Sequence, residues 1–187
     1  MTELLDPIGV ALLVTQALDR LGVTHTIGGS IAASVAGEPR STIDVDIVAA
    51  LEAPHVVPLG AALEPAFYLD VDALARAVAN RRAANLIHHE TQIKVDLFVA
   101  GGTPIDHLQL SRRRSVDVGG RQIFVHPPED ILLQKLRWFR AGGETSDRQW
   151  RDVLGIVRIQ GERLDRQYLE TQGRVLGVGD LLERVLR

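Results

Sequence analysis

The fold of this chain is decided by the stretch IDVDIV at residues 43–48, in which two aspartates alternate with apolar side chains. This alternation predicts a β-strand with one buried face and one polar face. Asp44 and Asp46 are two residues apart, so their side chains lie on the same face. Two like charges at such a short distance repel each other. The pair therefore predicts either a bound divalent cation or an acidic strand face turned to solvent.

A third aspartate, Asp96, lies in a second apolar stretch, QIKVDLFV at residues 92–99. The same alternation predicts a strand in which Lys94 and Asp96 share one face. Lys94 can serve as the partner of a purely structural ion pair. Alternatively, three aspartates on two strands can hold two divalent cations, for which Mg²⁺ is suited because it prefers carboxylate oxygens.

A glycine turn precedes the acidic strand. The triplet Gly28, Gly29 and Ser30 follows a short strand predicted at residues 23–27 and opens a helix predicted at residues 31–36. Glycine allows close approach of the backbone to a ligand, and a helix N-terminus directs amide groups toward phosphate. Such turns are common, so the triplet indicates a phosphate site only in the company of the aspartates.

The order of predicted elements sets the fold class. Strand and helix patterns are mixed up to about residue 126, and only helical periodicity follows. We expect an α/β (α+β) fold with a mixed, partly antiparallel sheet flanked by helices. The predicted division is an α/β core at residues 1–126 and a C-terminal helical region at residues 127–187, packed on the core.

Composition excludes several classes of site. The chain has no cysteine, so disulfides, thiolate metal sites and cysteine nucleophiles are excluded. It has no apolar run of 18 residues and no signal-peptide pattern, which predicts a cytoplasmic protein without a membrane partner. Residues 1–110 carry 6 basic and 13 acidic side chains, whereas residues 111–187 carry 15 and 11. This asymmetry suits a site that holds cations and polyphosphate together.

Arginines form a second charged feature. They include a run at residues 112–114 and three further side chains, Arg81, Arg82 and Arg121. Such a group can bind an RNA or DNA acceptor, but none of the 8 aromatic residues interleaves the run. A solvated loop is an equally good interpretation.

These motifs together resemble the nucleotidyltransferase superfamily of the DNA polymerase β type. The signature of this superfamily has three parts. An apolar residue with a glycine turn is matched at residues 27–30, an acidic pair on a strand at residues 44–46, and a later third acid at residue 96. The sequence is also similar to the bacterial toxin-like branch called AbiEii-like, and the resemblance spans about residues 23–155. The positions similar to that branch are residues 40–42, Lys94, Asp96, Lys135 and Asp152.

The resemblance implies a nucleotidyltransferase fold and a reaction. An acceptor hydroxyl would attack the α-phosphate of a nucleoside triphosphate such as ATP, and pyrophosphate would leave. Asp44, Asp46 and Asp96 would hold Mg²⁺, or Mn²⁺ as the alternative, and Asp96 would also accept the proton of the acceptor. Lys94 and Asp152 would support the site. The residues implied to contact the nucleoside triphosphate are Gly28, Gly29, Ser30, Arg40, Thr42 and Lys135.

One spacing departs from the superfamily pattern. Thirteen residues separate Ser30 from Asp44, and we expect a loop insertion around residues 37–40 to absorb the excess. Displacement of the glycine turn by this loop would weaken triphosphate binding and spare the metal ligands.

The acceptor and the biological role are open at the level of the sequence. The resemblance suggests tRNA or a protein as acceptor, with a small molecule as a further class, and an antitoxin as a partner. A phosphotransferase that moves the γ-phosphate and a catalytically silent nucleotide-binding module are the alternatives.

Overall fold

Three central strands form where buried and more exposed residues alternate. The computed structural model describes residues 5–39 and 41–187. In β2, β4 and β5 each buried side chain is followed by one that is at least partly exposed. The strands in the described residues are β1 (His25–Ile27), β2 (Asp44–Ala49), β3 (Phe67–Tyr68), β4 (Ala83–His88), β5 (Lys94–Val99), β6 (Arg114–Val118) and β7 (Arg121–Val125).

Several helices begin at a side chain that accepts a hydrogen bond from the first turn. Asp70, for example, accepts from the Ala73 amide at 2.9 Å and starts a helix there. Two short 3₁₀ turns, Ala53–His55 and Gly161–Arg163, precede helices. The α-helices in the described residues are α1 (Pro7–Arg20), α2 (Gly29–Ala36), α3 (Val56–Leu63), α4 (Val71–Asn80), α5 (Pro104–Ser111), α6 (Pro128–Ala141), α7 (Asp147–Gln160), α8 (Arg166–Val175) and α9 (Gly179–Leu186).

The seven strands found in the described residues form one sheet, in the order β3-β4-β5-β2-β1-β7-β6. The pairs β2–β5 and β1–β7 are parallel, and the other neighbouring pairs are antiparallel. Helices α1 and α4 pack on the face that buries Val45, Leu86 and Leu97. The predicted mixed, partly antiparallel sheet flanked by helices is therefore confirmed.

Contacts within the chain define two units. The first contains residues 1–31 and 41–125, and the second contains residues 32–40 and 126–187. The whole sheet belongs to the first unit, while α6 to α9 belong to the second. The division predicted between residues 126 and 127 stays a prediction. Arg40 lies outside the described residues.

In the second unit, α6 carries two buried acids among its apolar residues. Asp130 is fully buried and accepts a hydrogen bond from the Tyr168 hydroxyl on α8. Glu129 accepts from the Asp165 amide at 3.1 Å, directly before α8. Because a buried carboxylate needs a donor, these bonds fix the position of α8 on α6.

No helix of the described chain is long and apolar enough to cross a membrane.

Asp6 provides a test of how α1 is attached to the sheet. It accepts from the Gly9 amide at the start of α1 and forms two bonds to the Arg121 guanidinium on β7, at 2.8 and 2.7 Å. The bond to Arg121 holds the pKa of Asp6 below its usual value. We expect Asp6→Ala to lower the free energy of unfolding by about 1–2 kcal/mol at neutral pH.

The pH dependence of this effect has a definite sign. A carboxyl with a lowered folded-state pKa stabilises the protein above its unfolded pKa, near 3.8, and this contribution is lost as the pH falls through the folded pKa. Urea denaturation of wild type and Asp6→Ala should therefore converge in acid. Asp6→Asn, which keeps a good helix cap without the charge, should show an intermediate stability. An equal loss for both variants at all pH values would refute this account.

Candidate functional site

The parallel register of β2 and β5 brings the predicted acidic residues together. Asp46 is the direct partner of Asp96, and Asp44 is the partner of Lys94. Adjacent strands lie about 4.8 Å apart, so the Asp46 and Asp96 side chains are neighbours on one face of the sheet. Asp44 lies on the same face, one partner pair further along. Asp46 and Asp96 are both half-buried, while Asp44 is exposed.

Asp96 is held by two side chains. The Lys94 ammonium lies 2.9 Å from its Oδ2, and the Asn85 amide donates to its Oδ1. Asn85 comes from β4, where it is the register partner of Asp96. The sequence analysis predicted the Lys94 pair as one of two alternatives but missed Asn85. A polar residue at an exposed strand position was visible in the sequence, but its partner depends on the β4–β5 register.

The electrostatic field at this face is negative. The hydrogen bond to Asp96 raises the pKa of Lys94 and outweighs the opposing effect of burial, and the charges of Asp96, Asp44 and Asp46 also raise it. A cation is therefore stabilised at this position of the sheet. Lys94 supplies one such charge, and its side chain remains 46% exposed.

The glycine turn lies against β2. The Gly28 amide donates to the Asp46 carbonyl at 2.9 Å, so this amide is engaged by the strand. Gly29 opens helix α2 with φ +55°, and a Cβ at this position would overlap the Asp46 carboxylate. Only glycine allows this approach. The long spacing from Ser30 to Asp44 therefore does not displace the turn from the acidic strand.

Thr42 makes two contacts with the backbone at the start of β2. Its hydroxyl donates to the Asp44 carbonyl at 3.1 Å and lies 3.3 Å from the Asp44 amide. These contacts fix the backbone directly before the acidic pair. The nucleotide contacts predicted for Thr42, and for Arg40 outside the described residues, stay predictions.

Lys135 and Asp152 form an ion pair in the second unit. Lys135 lies on α6, Asp152 lies on α7, and the Nζ to Oδ2 distance is 2.8 Å. Both side chains are more than nine-tenths buried. Asp152 also lines a cavity of about 260 Å³ together with Glu38, Arg148 and Arg151. The structure thus joins the two residues, and their contacts with a nucleotide stay predictions.

The acidic face has the chemistry that Mg²⁺ or Mn²⁺ requires. Its donors are hard carboxylate oxygens, with Asp46 and Asp96 side by side on neighbouring strands. In the part of the chain that the structure describes, no three acidic or histidine side chains already converge as a metal-binding group. Mg²⁺ needs only one or two protein carboxylates when substrate phosphates and water complete its shell. The residues present therefore fit this cation.

Comparison with solved structures identifies the fold. The antibiotic-resistance factor ANT(2″)-Ia superposes with a TM-score of 0.60 at 13% identity, and 95% of each chain is covered. The lincosamide antibiotic adenylyltransferase LnuA, bound to lincomycin, gives 0.55 at 16% identity over 80% of this chain and 95% of its own. A nucleotidyltransferase-like protein from Paracoccidioides brasiliensis gives 0.56 at 19% identity over 94% and 90%.

These similarities show that the chain has a nucleotidyltransferase fold. No protein-family model matches the sequence, and no curated protein matches it significantly. The fold predicted from the resemblance is thus confirmed, while the assignment to the AbiEii-like branch stays a prediction.

Gly29→Ala tests the contact between the glycine turn and β2. We expect a loss of about 1–3 kcal/mol in the free energy of unfolding, because the new Cβ meets the Asp46 carboxylate at a positive φ. Gly22→Ala is a matched control, since Gly22 has φ +68° and its Cβ would meet no atom within 4 Å. Thermal or urea denaturation should show a larger loss at Gly29. Equal losses would mean that Asp46 is not in contact with the turn.

The Lys135–Asp152 pair predicts a coupled effect on stability. Removal of one partner, as in Lys135→Met or Asp152→Leu, should cost about 3–5 kcal/mol, because the other charge is left buried without a partner. The double variant should cost clearly less than the sum of the two single changes. Chemical denaturation of the four proteins measures this coupling, and additive losses would contradict the buried pair.

Proposed function

We propose that this protein is an Mg²⁺-dependent nucleotidyltransferase that moves a nucleoside monophosphate from a nucleoside triphosphate to an acceptor hydroxyl. The observation that carries the proposal is the direct pairing of Asp46 with Asp96 beside the glycine turn at Gly29. This arrangement supports a site in which the glycine turn binds phosphate and the aspartates bind a cation. The neighbours ANT(2″)-Ia and LnuA, named as an antibiotic-resistance factor and an adenylyltransferase, support the same class of reaction.

The proposed roles combine the geometry of the acidic face with the roles that the resemblance implies. The first amides of α2, at Gly29 and Ser30, bind the β- and γ-phosphates, because a helix N-terminus stabilises negative charge. Asp44, Asp46 and Asp96 hold Mg²⁺ or Mn²⁺. A cation held there would supply neutralisation of phosphate oxygens and acidification of the acceptor hydroxyl. The resemblance to the superfamily, and no observed contact, assigns Lys135 with its partner Asp152 to the charge of the departing pyrophosphate.

The proton of the acceptor goes to Asp96. The acceptor oxygen forms a bond to the α-phosphorus, the bond from that phosphorus to the bridging oxygen of the β-phosphate breaks, and pyrophosphate leaves. A carboxylate has about four lone-pair positions. Lys94 and Asn85 each use one oxygen of Asp96, so further positions remain for a cation and for the proton. Lys94 keeps the carboxylate oriented through the reaction.

The toxin role and its antitoxin partner rest on the resemblance to the AbiEii-like branch. The toxin role is therefore proposed separately from the nucleotidyl transfer. Its test is the growth of cells that express the protein. Arrest of growth by the wild type and not by Asp46→Asn would support the toxin role. Unimpaired growth with the active wild type would exclude it.

Transfer of an isotopic label tests the reaction itself. With nucleoside triphosphate labelled at the α-phosphate and Mg²⁺, wild-type protein should transfer label to an acceptor and release unlabelled pyrophosphate. Asp46→Asn and Asp96→Asn should reduce the rate by about a hundredfold to ten-thousandfold, because each removes a ligand and the second also removes the proton acceptor. The products are separated by chromatography and identified by mass spectrometry.

The control is a change outside the acidic face. Asp117 lies in the β6–β7 hairpin, where it accepts from the Gly120 amide, and Asp117→Asn should keep full activity. Transfer of label only from the γ-phosphate would identify a phosphotransferase instead. Nucleotide and metal binding that are unchanged in Asp44→Asn and Asp46→Asn would refute the proposed site.

A further inference from the structure

The exposed face of the sheet continues from the acidic residues to the edge strand β3. Register partners across four strands form one row of exposed side chains, which are Asp44, Lys94, Ile87 and Tyr68. A second row contains the partners Asp46, Asp96 and Asn85. The opposite side of these strands is buried. The site described above therefore extends into an open surface on β4 and β3.

The outer end of this surface is apolar and aromatic. Tyr68 is 65% exposed and Ile87 is 37% exposed, and the two residues are register partners. Exposed tyrosine beside an aliphatic side chain offers a flat apolar surface with one hydroxyl at its edge. Ligand sites combine such surfaces with a few fixed polar groups. Here the fixed polar groups are Asn85 and Asp96, whose side chains are bonded to each other.

The direction of the reaction places the acceptor on this side. In phosphoryl transfer the attacking and leaving oxygens lie roughly in line. If the glycine turn that follows β1 binds the departing pyrophosphate, the leaving group lies on the β1 side of β2. In the sheet order, β5, β4 and β3 lie on the opposite side of β2. The acceptor must then approach over β5 and β4, next to Tyr68 and Ile87.

The charges on this surface disfavour a nucleic acid. Binding of RNA depends on lysine and arginine side chains that neutralise phosphates. Among the described residues of the two rows, Lys94 is the single basic side chain, and it faces three aspartates. Exposed acids, Glu64 and Glu90, lie shortly before β3 and after β4.

Three members of the predicted arginine group are engaged in contacts away from the two rows. Arg81 donates to two backbone carbonyls, at 2.9 and 3.0 Å, and Arg121 pairs with Asp6. Arg113 lies over the Phe124 ring, 4.9 Å from its centre. These three guanidinium groups serve contacts within the first unit, so the structure does not collect them into a surface for phosphates.

We infer that Tyr68, Ile87 and Asn85 form the acceptor subsite, and that the acceptor is an uncharged or cationic small molecule with hydroxyl groups and an apolar ring face. The ring packs on Tyr68 and Ile87, and Asn85 with Asp96 positions the attacking hydroxyl. This assignment rests on the proposed nucleotidyl transfer. It makes Tyr68 and Ile87 specificity-determining residues and leaves nucleotide binding to the glycine turn and the aspartates.

A neutral aryl glycoside, 4-nitrophenyl β-D-glucopyranoside, is a suitable probe because it combines a ring face with several hydroxyls. Titration into the full chain with Mg²⁺ and a non-hydrolysable ATP analogue should give saturable shifts of the Tyr68, Ile87 and Asn85 amide signals in NMR spectra. Tyr68→Ala and Ile87→Ala should each weaken binding, by about tenfold for the tyrosine. Trp138→Ala removes a 58% exposed aromatic side chain from α6 and should leave binding unchanged.

Bulk tRNA provides the competing outcome. The acceptor assignment would be overturned if the wild type did not bind the glycoside, or if Tyr68→Ala bound it equally well. It would also be overturned if wild type and Tyr68→Ala labelled tRNA at equal rates. Affinity for the ATP analogue, measured by calorimetry in the same proteins, separates the two proposals. Intact nucleotide binding without a Tyr68 effect rejects the acceptor subsite alone. If the wild type shows no Mg²⁺-dependent nucleotide binding, the proposed function is rejected.

Discussion

The register of the parallel pair β2–β5 is the constraint on which the rest of the site depends. It makes Asp46 and Asp96 direct neighbours although they lie fifty positions apart in the chain. A shift of either strand by one residue would turn its aspartate toward the buried side, where Val45 and Leu97 now lie fully buried. Each fully buried aliphatic side chain contributes about 1.5–3 kcal/mol, so the apolar face of the strands fixes the position of the carboxylates on the other face.

Close contact between the glycine turn and β2 adds a second constraint. Asp46 is bound to the turn through its backbone carbonyl, and its carboxylate occupies the space that a side chain at residue 29 would need. One residue thus links the glycine turn to the acidic face, which are the proposed phosphate and cation sites. This contact is present although thirteen residues separate Ser30 from Asp44.

One face of the sheet is apolar and buried, and the other carries the charged residues of the candidate site. One face buries apolar side chains against α1 and α4, while the other carries all three aspartates and Lys94. Lys94 reduces the repulsion among the acids and orients Asp96, which allows three carboxylates to occupy one small area. In the second unit the charges of Lys135 and Asp152 are buried as a pair, so neither is left without a counter-charge.

The sequence by itself determined the elements and the residue types of the site. Alternation at residues 43–48 and 92–99 predicted β2 and β5, and the two-residue spacing of Asp44 and Asp46 predicted their common face. Helical periodicity after residue 127 predicted α6 to α9. These features could be predicted because they depend on neighbours within a few positions, where strand and helix geometry are fixed by the backbone.

Only the tertiary structure decided which distant residues meet. Pairing of β4 with β5 brought Asn85 to Asp96, and pairing of β3 with β4 placed Tyr68 beside Ile87. No local pattern encodes these partners, because strand order and register arise from packing of the whole sheet. The same holds for three of the arginines that cluster in the sequence. The contacts of Arg121 with Asp6, of Arg113 with Phe124 and of Arg81 with backbone carbonyls were not predicted from the sequence.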